Sequence, residues 1–121
     1  MNPANGHCYE TLSGEALTWH EAAAACATAA GYLVTISDAD ENAFVRELGG
    51  GDWWGGLSDI NVEGSFVWIN GEPTMYTNWD LGQPDNNSGV QDCLRMNSGV
   101  WDDDECNAET GRVFPYICEY E

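Results

Sequence analysis

Residues 80–103 read DLGQPDNNSGVQDCLRMNSGVWDD, and this stretch decides what kind of chain this is. Three groups of oxygen-bearing side chains punctuate it: Gln83-Pro84-Asp85, Gln91-Asp92 and Asp102-Asp103. A hard cation such as calcium takes about six to eight oxygens from carboxylates, amides and backbone carbonyls. A loop that concentrates those groups and offers no imidazole therefore points to calcium rather than zinc. Between Thr77 and Asp92 no apolar periodicity survives, and an aperiodic run of that length inside a compact domain is either functional or disordered. A ligated cation would order it.

Outward from this loop the pattern predicts an α+β layout. Thr18 followed by Glu21 forms a capping box, and Trp19, Ala22, Ala23, Cys26 and Ala30 recur at helical spacing before Gly31. Ser37, with Asp38 and Asp40 at the positive end, starts a second helix whose buried stripe is Phe44, Val45 and Leu48, stopped by Gly49-Gly50-Gly51. Strands are expected at Tyr32–Ile36 and Phe66–Ile69, the second followed by the hairpin signal Asn70-Gly71. Cys93–Met96, a turn at Asn97-Ser98-Gly99, Val100-Trp101 and Phe114–Tyr120 complete a small antiparallel sheet. No internal repeat or low-complexity linker breaks the chain, so residues 1–121 read as one domain.

Composition excludes several functions. Three basic against twenty-one acidic residues leave a formal charge of -18, which repels phosphate backbones and anionic lipid surfaces. Nucleic acid is excluded as a partner, and no run approaches the eighteen or so apolar residues needed to span a bilayer. Part of the acid is a solvated face that keeps the chain soluble. Five cysteines without a C-x-x-C pair suggest disulfides in an oxidising, extracellular compartment. His7 and His20 lie too far from useful partners for a zinc site. Neither sits beside a Ser or Cys as a nucleophile pair, and carboxylates bound to calcium make poor general acids, so no enzyme is expected. Residues 1–6, MNPANG, carry neither the basic start nor the apolar run of a signal peptide; the expectation is a module cut from a larger secreted or surface protein.

The whole arrangement resembles the C-type lectin-like domain family. Gly6-His7-Cys8-Tyr9, Trp54-Gly55-Gly56-Leu57 and Phe114-Pro115-Tyr116-Ile117-Cys118-Glu119 are similar to the family's landmarks, and Gln83-Pro84-Asp85 with Trp101-Asp102-Asp103 occupy its two calcium motifs. The acid-rich, lysine-free composition also looks like that of modules in large bacterial surface adhesins. What the resemblance implies is a C-type lectin-like fold, two helices flanking small antiparallel sheets, with a long calcium-binding loop. It implies two bridges, Cys26–Cys118 and Cys93–Cys106, leaving Cys8 over as a free or intermolecular thiol. The longer bridge would close about 93 residues, worth roughly 4 to 5 kcal/mol of chain entropy.

The resemblance also implies a ligand set. Calcium would be held by Gln83, Asp85, Gln91, Asp102 and Asp103, with a cis bond before Pro84, and a sugar by Gln83, Asp85, Gln91 and Asp102 through two vicinal hydroxyls. Asp102 and Asp103 adjoin on a strand, where neighbours face opposite ways, so a bulge or strand end is needed for both to reach one ion. Relative to mannose-type members both acid–amide pairs are inverted, Gln83 with Asp85 and Gln91 with Asp102. Terminal fucose or galactose on cell surfaces is the glycan this order implies. An auxiliary calcium would fall to Asp59, Glu63, Asn86 and Asp92; the alternative for residues 59–64 is a polar turn. Asn86-Asn87-Ser88 matches a glycosylation acceptor whose glycan would crowd the sugar site, so it is expected unused. A protein or ice surface as ligand, with calcium kept for structure alone, is the alternative function.

Overall fold

Thr18 caps the first helix as its sequence predicts. Glu21 N donates to Thr18 Oγ1 at 3.2 Å while Thr18 N donates to Glu21 Oε1 at 3.0 Å, closing the capping box. The computed structural model describes residues 6–48, 51–84, 91–106 and 113–121, and the side chains of all of these except Ser13 and Gln91. In chain order the elements are β1 (Cys8–Leu17), α1 (Trp19–Thr28), β2 (Tyr32–Leu33), α2 (Ala39–Leu48), β3 (Asp52–Ser58), β4 (Val67–Trp68), β5 (Gln91–Asn97), β6 (Val100–Glu105) and β7 (Phe114–Tyr120).

One sheet carries the fold, in the order β1-β7-β3-β5-β6, with β2 paired to β7 and β4 to β3. All pairings are antiparallel except β3 with β7, which meet in parallel at Trp54 and Tyr116. The opening strand β1, which sequence periodicity does not announce, lies along β7 from Cys8–Tyr120 to Leu12–Tyr116. Helix α1 packs against β1, β2, β3 and β7. The Trp54-Gly55-Gly56-Leu57 signature is the interior of β3, and its glycines answer a packing demand. A Cβ on Gly56 would lie 2.6 Å from Leu33 O and one on Gly55 2.8 Å from a Leu94 methyl.

The core divides between Trp68, Trp101, Leu57, Leu94 and Ile117 on one side and Trp19, Trp54, Cys26 and Tyr116 on the other. Two buried indole N–H groups find backbone carbonyls: Trp19 Nε1 donates to Gly55 O at 2.8 Å and Trp54 Nε1 to Leu17 O at 2.7 Å. Cys26 joins Cys118 and Cys93 joins Cys106, with Cα separations of 5.4 and 5.5 Å. Cys8 is free and exposed.

Several expected boundaries move. Asp38, one residue beyond Ser37, caps α2 by accepting from Glu41 N at 2.8 Å; Ser37 donates instead to Glu41 Oε1 from N and Oγ. The face α2 buries is Glu41, Asn42 and Val45, with Leu48 39% exposed, because the polar members are satisfied by Tyr9, Ser37, Trp101 and Gly99. Val34 to Ile36 are buried without continuing β2 as a ladder strand. Asn70-Gly71 makes its turn, Gly71 N donating to Trp68 O at 3.0 Å, but no strand returns after it; β4 pairs back onto β3. The Ser98-Gly99 turn behaves as expected, both residues at positive φ (51° and 90°) between the paired residues Asn97 and Val100.

Candidate metal centre

Trp101 pins the long loop. Asp80 N donates to Trp101 O at 2.8 Å and Trp101 N to Asn78 O at 3.0 Å, around a parallel bridge of Trp79 with Trp101. The Trp101 indole is fully buried, edge-on to Trp68, Tyr76 and Trp79, and its Nε1 donates to Asn42 Oδ1 at 2.9 Å. The two acids after it thus leave from a fixed anchor. Gln83 follows three residues after Asp80, whose carbonyl accepts its N–H at 2.9 Å. It is half-buried, and the Gln83-Pro84 bond is cis, as the resemblance implied. Asp85 and Asn86 lie outside the described residues, as do the Asn86-Asn87-Ser88 acceptor and the Gln91 side chain, though the Gln91 backbone opens β5.

Strand β6 sends its acids in two directions. Asp103 pairs across to Leu94 and Asp102 to Arg95, an unbroken register with the β5–β6 irregularity confined to the stretch between Gln91 and Cys93. Alternation then puts Asp103 with Trp101 and Leu94 on the core face and Asp102 with Asp104 on the other. Asp103 is 1% exposed. Asp102 Oδ2 accepts from Arg95 Nη2 at 2.5 Å; the same guanidinium reaches Asp104 Oδ2 from Nε at 3.0 Å and Asp52 Oδ1 from Nη1 at 3.1 Å. The Asp104 contact is an ion pair whose angle is too poor for a hydrogen bond.

The auxiliary set does converge. Asp59, at the end of β3, Glu63 in the following turn and Asp92 at the start of β5 each place a carboxylate oxygen within 4.8 Å of the others. Backbone fixes the first and last, since Asp59 N donates to Asp92 O at 3.0 Å, and Gly64 N closes the turn on Asp59 Oδ2 at 2.7 Å. Two oxygens, Asp59 Oδ1 and Asp92 Oδ1, are buried without a hydrogen-bond partner. Burial first, then the charges of Asp59, Glu63 and Asp103, push the Asp92 carboxyl up to about 6. An unpartnered buried carboxylate oxygen is costly, and an all-oxygen set of this kind is what a hard dication satisfies, so these residues fit calcium.

Residues 15–120 match the profile of the lectin C-type domain. The chain belongs to the C-type lectin domain family. It is 44% identical over 110 residues to lectin BRA-3 of Megabalanus rosa, covering 85% of this chain and 67% of that one. It is also 40% identical over 103 residues to the low affinity immunoglobulin epsilon Fc receptor of Mus musculus, where the match takes in 84% of this chain but spans only 30% of the relative. Among solved structures, the C-type lectin CEL-I of Cucumaria echinata superposes with a TM-score of 0.87 at 28% identity, covering 95% of this chain and 90% of that one. A calcium-independent type II antifreeze protein superposes at 0.84 and 28% identity, covering 93% and 85%. The relatives that carry organism names are animal proteins, so the compositional likeness to bacterial adhesins finds no counterpart among them.

Arg95, Asp52 and Asp104 belong to the surroundings of this C-type lectin site and were not singled out from sequence. The signal was present: a two-residue turn at Ser98-Gly99 fixes the pairing Asn97–Val100, and counting back two places sets Arg95 opposite Asp102.

Proposed function

We propose that this C-type lectin domain binds terminal fucose or galactose in a calcium-dependent way, on an extracellular or cell-surface protein of which it is one module. The observation that carries the calcium reading is the convergence of Asp59, Glu63 and Asp92 with two unpartnered buried oxygens. The principal ion would fall to Gln83, Asp85, Gln91, Asp102 and Asp103, and the auxiliary one to Asp59, Glu63, Asn86 and Asp92. A calcium ion, when bound, supplies a hard cation that two vicinal hydroxyl oxygens can join. The chain's own residues select the sugar: each hydroxyl needs one donor and one acceptor beside it, and the order of Gln83 with Asp85 and Gln91 with Asp102 decides which hydroxyl pair fits. Lectin domains are binding modules, and no catalytic role is proposed.

A glycan array with calcium and again with chelator tests this. Expected are fucose- or galactose-terminated ligands lost in chelator, and a shift toward mannose on the joint change Gln83→Glu with Asp85→Asn. Mannose competing as well as fucose and galactose in the unmodified chain would sink the sugar assignment. The likeness to an antifreeze protein favours one second reading, a protein or ice surface as ligand. An array blank in both conditions, together with thermal hysteresis, would select it.

A further inference from the structure

We propose that the groove along β4 is a docking site for a basic, aliphatic peptide segment of a partner protein. Trp19, Ser58, Ile60, Asn61, Val67 and Ile69 line it, and none of them is a candidate calcium ligand. Strand pairing makes the floor. Ser58 faces Val67 across β3 and β4, and Ile69 N donates to Gly56 O at 2.7 Å. Alternation then turns Val67 and Ile69 to one face and sends Trp68, between them, into the core. Ile69 fits there because Gly56 has no side chain; a Cβ would lie 2.9 Å from the Ile69 Cγ2. Trp19, tied to Gly55 O, is one wall. The turn after β3 is the other, closed by Gly64 N on Asp59 Oδ2 at 2.7 Å and by Ser65 N on Val62 O at 2.9 Å. The hollow holds about 320 Å³, at the lower end of the range for ligand pockets, roughly 300 to 1,000 Å³. Ile60, Val67 and Ile69 keep 43%, 45% and 40% of their surface exposed. β-Branched side chains have few rotamers to lose, so this apolar rim is already set for a partner. Ser58 and Asn61 add a hydroxyl and an amide for a peptide backbone.

Charge decides the occupant. A second copy of this chain would bring a further formal charge of -18 to the face. Acids stand at both ends of the groove: the Asp59, Glu63 and Asp92 cluster joins the turn that carries Ile60, and Glu72 follows the Asn70-Gly71 turn beyond Ile69. Thr74 Oγ1 donates to Phe66 O at 3.2 Å, which folds the Glu72 segment back along β4, and Glu72 Oε1 is buried without a hydrogen-bond partner. The cluster has three carboxylates, so even a bound dication would leave it negative. The described arginines are engaged elsewhere, Arg46 against Gly99 and Arg95 with Asp52, Asp102 and Asp104. Lysine or arginine flanking a pair of aliphatic side chains matches this surface, cation to acid and methyl to methyl.

The experiment titrates the protein in calcium-containing buffer with three capped peptides, Lys-Leu-Leu-Lys, Glu-Leu-Leu-Glu and Lys-Ser-Ser-Lys, and follows backbone amide shifts by NMR. Expected are saturable shifts at Ser58, Ile60, Val67 and Ile69 with Lys-Leu-Leu-Lys and none with Glu-Leu-Leu-Glu. Lys-Ser-Ser-Lys should bind at least roughly tenfold more weakly, because a buried leucine is worth that much. Val67→Lys sets a cation in the groove and should weaken Lys-Leu-Leu-Lys by roughly tenfold at an unchanged melting temperature. Equal binding of Lys-Ser-Ser-Lys would reduce the effect to charge alone, and equal binding of Glu-Leu-Leu-Glu would show that charge plays no part; either overturns the proposal. So do an absence of saturable shifts, shifts centred on other residues, and a folded Val67→Lys variant of unaltered affinity. If that variant does not fold, Ile60→Ser in the turn should weaken binding by a smaller factor, and no change there overturns the proposal too. Dimerisation of the unmodified protein that Val67→Lys abolishes would give the groove to a second copy and overturn the peptide assignment.

Discussion

Asp103 and Asp102 adjoin in sequence, yet their surroundings on the two sides of β6 differ in kind. On the Asp103 side carboxylate gathers on carboxylate: Asp59, Glu63 and Asp92 converge, and the charge of Asp103 is felt at Asp92. On the Asp102 side three carboxylates, Asp52, Asp102 and Asp104, share one guanidinium. The first face leaves two carboxylate oxygens buried without a hydrogen-bond partner, while the second sets its acids on an arginine. In a chain of formal charge -18 the two faces of one strand thus meet their negative charge in different ways.

The largest effect should come from removing the arginine. Arg95→Leu strands the fully buried Asp104 carboxylate and should cost about 3 kcal/mol in denaturant unfolding with chelator present, since breaking one partner of a buried pair leaves an uncompensated charge. A loss near zero would mean the two faces are not different in kind. Next is the metal itself. Calcium at a hundredfold excess over Kd should stabilise the unmodified chain by roughly 2.7 kcal/mol. Asp59→Asn should remove part of that gain while costing little in chelator, because it relieves a crowded acid cluster; melting curves with and without calcium at matched ionic strength decide it. An Asp59→Asn variant that melts much lower in chelator would show the cluster to be a structural element after all.

The smallest effect lies at a third acid, Glu119, which is buried against β2 and met by Thr35 N, Thr35 Oγ1 and His7 Nδ1, the last at 2.5 Å. The Glu119 hydrogen bond raises the His7 pKa above its usual 6.5, and burial raises that of Glu119. Both groups then bind protons more tightly folded than unfolded. The stability they contribute is present at low pH and falls as pH rises, from the ordinary carboxylate range for Glu119 and through the region above 6.5 for His7. Unfolding free energy in chelator should therefore decline between pH 6 and 8, and Glu119→Gln should bring the His7 NMR titration midpoint back toward 6.5. A midpoint already at 6.5 in the unmodified chain would remove this prediction's basis.

Sequence alone announced the two helices and the oxygen-rich loop. The capping box at Thr18 and Glu21, the glycines of Trp54-Gly55-Gly56-Leu57 and the oxygen clusters around Pro84 are local signals, read from neighbouring residues. The bridges Cys26–Cys118 and Cys93–Cys106 came through resemblance and hold in the fold. The same local reading could not see that β1 would lie on β7, two chain ends brought together only by long-range pairing. It could not see that Leu48 would be exposed while Glu41 and Asn42 are buried, because partners from β1, β6 and the turn between β5 and β6 satisfy them. The resemblance grouped Asp59, Glu63 and Asp92, which converge in the fold, but nothing in it showed that Asp102 turns to Arg95. A strand's alternation is written in its sequence, but which face meets a guanidinium and which meets other acids depends on the strands beside it. Only the register of β5 against β6 and of β3 against β5 decides that.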